Sequence, residues 1–452
     1  MRVNSVFFIF SVLFFFNANA QNLTTSSYSI FGIGDKEAVN HPIFQATGNI
    51  TGVHVDSTIL NFYNPASYSL LKPGKILFSS SLSGNFSFFN QGDQSSYFPS
   101  SSLHHIALAL NVKKHFGISF GLKPYLSRGY FISDDQYSGL DSLSHTYEGS
   151  GNTQQLYFGA ASNILNTQST NLSIGANLSY LFGSVENLRK SKLLTSTNTA
   201  GGVEVNQINF SSFHYKLGLY FKQRFGFNHS IKIGASVEPT QVLNSNFYDA
   251  LYYSENIEDP SLYDTLFSFN CISENCNINI PTEVDLSFSY SLNFYGRIIN
   301  NKKRLSQLNL MAAYRQSDWS SFTPHDGANS SVVFGKNKQI SFGFQFIPEM
   351  KYLEKALITK WYERLNYRLG YFDQKLPYTL NGLEVHDFGM TFGLGMPIVI
   401  QQSLSSLNLS VVVGKRGVGE ENFVEERYVG INFGLILSPS NFSRWFRKRK
   451  LD

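Results

Sequence analysis

The side chains in this chain that could do chemistry are few and poorly grouped. His104 and His105 are adjacent in a stretch that reads as a strand. Neighbouring strand residues point to opposite faces, so the spacing predicts two ordinary strand-end histidines rather than a two-His metal site. Asp134 and Asp135, and later Glu255, Glu258, Asp259 and Asp264, could offer oxygen ligands to a divalent cation, although solvated loop acids have the same look. Cys271 and Cys276 are the only cysteines, set close together in a polar stretch. A local disulfide stapling a loop is the first reading and two free thiols the alternative; two soft ligands are too few for a metal site. No pattern such as Gly-x-Ser-x-Gly is read as marking a nucleophile elbow, and nothing else marks an enzyme or calls for a cofactor. A net charge of +4 is too small to imply nucleic acid.

The elements that would position these residues are strands. From Val284 to Leu292 every even position is apolar and every odd one polar. The same alternation runs through Leu172 to Phe182, Phe116 to Lys123, Leu407 to Gly414 and Val429 to Leu437. About fourteen such segments follow Lys75, near 75-89, 102-113, 115-132, 153-164, 170-187, 205-224, 229-250, 282-294, 304-319, 338-348, 360-376, 383-398, 405-416 and 422-437. Each approaches the ~10 residues that cross a bilayer as a tilted strand. Composition agrees: 41 Phe, 25 Tyr and 35 Gly accompany only 15% charged residues. A mean hydropathy of −0.14 fits faces that average out between lipid and lumen.

Connections sort by parity. Short links fall near 113-114, 165-169, 225-228 and 401-405, and long ones at 90-101, 133-152, 188-204 and 251-281, which predicts external loops on one side and periplasmic turns with both termini on the other. The link 349-359 is long for a turn, and Glu349 to Tyr362 has room for one or two helical turns. A soluble sandwich would alternate too, but it would not separate its loops by parity or need this many long strands.

The chain begins with Met1 and Arg2, an apolar run from Val6 to Phe16 and the small residues Ala18-Asn19-Ala20. That pattern predicts a signal peptide over 1-20, too short to cross a bilayer as a helix. Residues 21-74 are not a strand series; apolar residues such as Phe31, Ile33, Phe44 and Phe62 favour a folded plug inside a barrel. A barrel over 75-437 and a basic periplasmic tail over 438-452 complete the division.

Two stretches are familiar. Ser27-Tyr28-Ser29-Ile30-Phe31-Gly32-Ile33-Gly34-Asp35, followed by Asn64-Pro65-Ala66-Ser67-Tyr68, resembles the amino-terminal region of FadL-like outer-membrane proteins of the Bacteroidota. Phe388 to Pro397, Gly414 to Gly417, Glu421 to Tyr428 and Trp445 to Lys450 are similar to the same group. The resemblance implies a fourteen-stranded transmembrane barrel with an amino-terminal hatch in the lumen, to which Asn64, Pro65 and Ala66 would belong. It also implies passive uptake of hydrophobic, fatty-acid-like molecules by lateral diffusion through a wall gap at a kink in the third strand. Pro124 falls in the third strand predicted here, and a proline removes a ladder donor; a bulge or strand end is its plainer role. The partners implied are outer-membrane lipid and a hydrophobic small molecule. The alternative is a barrel that serves as subunit or plug of a larger envelope complex, such as type 9 secretion, with no transport of its own. A stable barrel without a transport role is a third.

Overall fold

The computed structural model describes residues 24–438 apart from 38, 74, 114, 139–140, 194–199, 272–275, 300–301, 323–331, 351–359, 401–402 and 421–422. The expected signal peptide and almost all of the basic tail lie outside the described residues, as do most of the positions in the proposed helical link. Of that link, Trp361–Arg364 forms a single 3-10 turn.

Fourteen strands make one antiparallel wall: β1 (Ile76–Gln91), β2 (Gln94–Lys113), β3 (Phe116–Ser127), β4 (Asp141–Asn166), β5 (Thr170–Leu193), β6 (Gly201–Phe225), β7 (His229–Glu238), β8 (Glu283–Ile299), β9 (Lys302–Asp318), β10 (Lys336–Ile347), β11 (Asn366–Leu380), β12 (Leu383–Ile400), β13 (Ser403–Gly417) and β14 (Glu425–Leu437). Thirteen register partners, from Phe78↔Leu437 to Asn90↔Glu425, join β1 to β14 and close the barrel. The period-two pattern has the consequence expected of it. In β8, Leu286 and Phe288 are half exposed on the outside, while Ser287, Ser289 and Ser291 are buried inside. No described helix is long and apolar enough to cross a membrane; the strands supply the apolar outer face.

One expectation about connections changes. Most of 90-101 and most of the described residues of 133-152 are paired strand, not loop: β1 and β2 are separated by two residues, and Tyr130–Ser138 pairs with β4 from Ser138↔Asp141 to Tyr130↔Gly149. These overhanging hairpins have polar residues on both faces, as at Ser95, Ser96 and Ser100, so they lack the alternation that identifies a lipid-facing strand. Backbone pairing continues beyond the apolar belt because ladder bonds do not depend on side-chain polarity.

Residues 24–71 lie against the inner face of the wall. Gln45 accepts from Ser410 (2.6 Å) and from Asn432, on β13 and β14. Thr51 donates to Asp285 on β8, and the Asn64 amide donates to the Leu219 carbonyl on β6 (3.1 Å). Phe44, Ile50 and Leu60 are fully buried between them. Wall glycines make this approach feasible: a Cβ at Gly117 would fall 2.0 Å from the Tyr68 carbonyl, and one at Gly218 2.4 Å from Asn64 Oδ1.

Candidate lateral opening and lumen cavity

The ladder between β2 and β3 stops early. Its last pair on the overhanging side is Ile106↔Leu122; from His105 to Gln94, β2 pairs with β1 alone. Beyond Leu122, β3 turns inward. Pro124 has no N–H to donate, and the register on β4 slips between Pro124↔Gln154 and Leu126↔Thr153, leaving Tyr125 in a bulge. Tyr125, Leu126, Ser127 and Arg128 are all buried, and the Leu126 N–H is satisfied by Thr153 Oγ1 at 3.0 Å. The edge that β2 gives up is taken by the amino-terminal segment. Asp35 and Lys36 pair antiparallel with Ser127 and Leu126, and the Glu37 N–H donates to the Tyr125 carbonyl at 2.9 Å. Gly34 enters this pairing at φ +95°, where a Cβ would lie 2.7 Å from the Ser127 carbonyl oxygen; glycine is required on both counts.

The two histidines do not face opposite ways as expected. Register on β1 jumps from Ser81↔His105 to Leu82↔Leu103, so His104 is a bulge residue and both rings point inward. His104 Nδ1 lies 3.0 Å from Glu37 and its Nε2 2.6 Å from the Ser83 hydroxyl. His105 is held by Ser79 and Ser81 and stacks on His41 at 5.2 Å. Burial first, then the Arg368 charge, pushes His41 down to about 3, and the same two causes hold His54 well below the usual histidine range. A second expectation needs correction: Gly117-Ile118-Ser119-Phe120-Gly121 does match the elbow formula letter for letter. It lies in the middle of β3, with no strand-to-helix turn, and the Ser119 hydroxyl donates to the Leu108 carbonyl at 2.9 Å.

Asn64, Pro65 and Ala66 start a 3-10 turn, Pro65–Leu70, that Asn64 caps through the Ala66 N–H. All three are buried against β5 and β6. Cys271 and Cys276 are bonded, with Cα atoms 6.1 Å apart, at the end of Tyr263–Cys271, a strand that among the described residues pairs with Ser245–Ser254 alone. The loop acids do not converge: Asp134 accepts from Gln136, Glu258 faces Lys190 at 3.6 Å, and Asp259 caps Ser261.

Inside the break lies a cavity of about 280 Å³. One side is apolar, from Phe31, Ile33, Phe322, Phe334, Leu376 and Tyr378; the other is charged. Lys36 reaches Glu238 at 2.8 Å and Glu283 at 3.1 Å, Lys216 reaches Glu238 at 3.0 Å, and Arg315 reaches Asp285 at 2.8 Å. Across the lumen Arg416 joins Asp35 (2.9 Å) and Asp387 (3.0 Å). Burial works against the Lys36 charge, but Glu238 and Glu283 hold its ammonium above the usual lysine range. Lys123 differs: among the described residues no carboxylate lies within 4 Å of it, and it rests over the Phe62 and Tyr63 rings at 5.7 and 5.4 Å.

A family model described as BamG matches residues 2–452. The chain belongs to the BamG family. No curated protein matches it. Among solved structures, the BamG-family chain is similar to the toluene transporter TbuX of Ralstonia pickettii, at 12% identity over 89% of this chain and 98% of that one, with a TM-score of 0.52. A FadL homologue of Pseudomonas aeruginosa aligns at 10% identity over 90% and 99%, with a TM-score of 0.53. The toluene transporter TodX of Pseudomonas putida aligns at 13% over 89% and 99%, with a TM-score of 0.52. At such identities the likeness is one of fold.

Sequence reasoning overlooked the charged residues that this BamG-family barrel brings together: Asp35, Lys36, Glu238, Glu283, Asp285, Arg315, Asp387 and Arg416. A signal was available, because Asp285 and Asp387 sit at polar positions of lipid-crossing strands. A charge there faces inward and needs a partner.

Proposed function

We propose that this protein is an outer-membrane channel that takes up small hydrophobic, fatty-acid-like molecules passively, admitting them from the lipid through the break between β2 and β3. In this reading both termini face the periplasm and the overhanging hairpins face outward. The observation that carries it is the point where the wall ladder ends at Ile106↔Leu122 and the backbone turns at Pro124 to lead apolar Tyr125 and Leu126 into the cavity. Residues 24–71 act as a hatch, with Asp35 and Lys36 covering the exposed edge. The cavity suits a compact amphiphile: an apolar body against Phe31, Phe322 and Phe334, and an anionic head near Lys123. Two fold relatives are described as toluene transporters and a third as a FadL homologue, which is in keeping with an apolar cargo. Deleting the chain from its own cell and measuring uptake across a panel of apolar compounds tests the proposal. Loss of uptake of at least one class is expected, and unchanged uptake across the panel contradicts it.

A second reading, a subunit of a larger envelope complex, is favoured by Tyr263–Cys271. Among the described residues one edge of this strand has no partner, and Leu266, Phe267 and Phe269 are each more than half exposed on it. Stable co-purification with another envelope protein, lost on Phe267→Lys, would support that role.

A further inference from the structure

The wall is broken a second time, between β6 and the residues that follow β7. β6 pairs with β7 from Leu217 to Phe225 and with Ser245–Ser254 from Gly201 to Phe210, so Ser211 to Lys216 have no ladder partner on that side. Opposite them the chain leaves the wall at Pro239, which has no N–H to offer, and Gln241–Leu243 turns to pair with Ile278–Ile280 in a separate two-stranded sheet. A side chain closes the space. The Gln241 amide accepts from the Tyr215 N–H at 2.7 Å and donates to the Tyr215 carbonyl at 3.0 Å, imitating the pair of bonds that a ladder residue exchanges. The one main-chain bond across the break is Ser211 N–H to the Asn244 carbonyl, at 3.2 Å. On the outer face Phe213 is 68% and Val242 55% exposed, whereas Leu243 is wholly buried.

The two breaks are connected. Lys123, Gln155, Leu181 and Ser212 are successive register partners, so both breaks interrupt the same row and β3 to β6 stand between them as a panel. Behind the panel, Tyr125 from the first break lies ring to ring with His214 of the second at 5.2 Å. Ile33, Tyr125, Leu181, Phe210 and Leu243 belong to one buried apolar cluster that runs from one break to the other. The inner face is apolar along this stretch, whereas β8 turns Ser287, Ser289 and Ser291 to the lumen. Lys36, which covers the first break, also holds Glu238 and Glu283 beside the second.

We propose that the gap between β6 and residues 239–244 is a second lipid-facing port for apolar small molecules, bolted by Gln241 and continuous with the first port through this cluster. The port adds to the uptake reading but is tested without any uptake. Leu243→Cys places a thiol in the cluster behind Gln241, and N-pyrenylmaleimide dissolved in phosphatidylcholine proteoliposomes probes it from the lipid. Removing the bolt with Gln241→Ala, and with it two hydrogen bonds, should raise the labelling rate about tenfold or more. Gln241→Glu, which keeps the acceptor and loses the donor, should lie between. Unheated gel mobility checks that each barrel is folded. The comparison is repeated with the first break closed by an Asp35→Cys/Ser127→Cys cross-link, oxidised before labelling. Persistence of the gain supports a second port. A rate unchanged by Gln241→Ala in a folded barrel, or a gain abolished by that cross-link, overturns it.

Discussion

Lys36→Met should loosen the amino-terminal segment over the first break without unfolding the wall. Lys36 Nζ lies 2.8 Å from Glu238 and 3.1 Å from Glu283, and their side chains are 31%, 8% and 14% exposed. Removing one member of a buried pair costs about 3–5 kcal/mol, but partial exposure of the lysine screens it, and Lys216 still faces Glu238 at 3.0 Å. The expected cost is therefore about 2 kcal/mol, borne mainly by Glu283. That corresponds to roughly a 30-fold rise in the population with Asp35–Lys36 detached, at about 1.4 kcal/mol per decade. Native-state hydrogen exchange reads it at one amide, the Glu37 N–H bonded to the Tyr125 carbonyl. The Glu37 amide should exchange faster by roughly that factor, with β8 and β9 amides unchanged, and Glu283→Gln in the same protein should restore part of the protection. Unchanged exchange at Glu37, or acceleration spread over the whole wall, would refute the idea that this ion pair holds the segment down.

Three further outcomes follow from the same geometry. Gly218→Val would push a side chain into Asn64 and Pro65 and should cost about 1–3 kcal/mol, read as earlier proteolysis of the segment around Asn64; protection equal to the parent would contradict the packing. His41 is held near 3 by burial, so a released segment binds a proton that the seated one does not. Seating is strongest above the ordinary histidine value near 6.5 and weakens as pH falls toward 3, by about 2 kcal/mol at pH 5; a flat proteolysis profile from pH 7.5 to 5, or one unchanged by His41→Gln, would contradict it. Replacing Cys271 and Cys276 with serine should make the Tyr263–Cys271 hairpin more sensitive to protease while leaving the barrel's thermal transition in place.

The wall was legible because alternation survives wherever one face meets lipid, and all fourteen strands were found that way. Pro124 could be flagged from its position alone, since a proline inside a strand must interrupt a ladder. Pro239 carried the same signal, inside the segment read as 229-250, and went unused. The reversal at His104 was hidden, because a bulge on β2 leaves the local sequence unchanged and is fixed by pairing with β1. Hairpins beyond the belt looked like loops since both faces are wet. The lumen ion pairs join residues as far apart as Asp35 and Arg416, and only closure of the barrel brings them within 3 Å. Gln241 acts through the backbone of Tyr215, a role that no residue-type pattern announces.

Entry through the β2–β3 break is tested most directly by closing it reversibly. In a background with Cys271 and Cys276 replaced by serine, Asp35→Cys/Ser127→Cys joins two register partners across the covered edge. Uptake of an apolar compound carried by the parent protein should fall to the level of an empty membrane on oxidation and return on reduction. Uptake that is the same in the oxidised and reduced states would show that the molecules do not enter there.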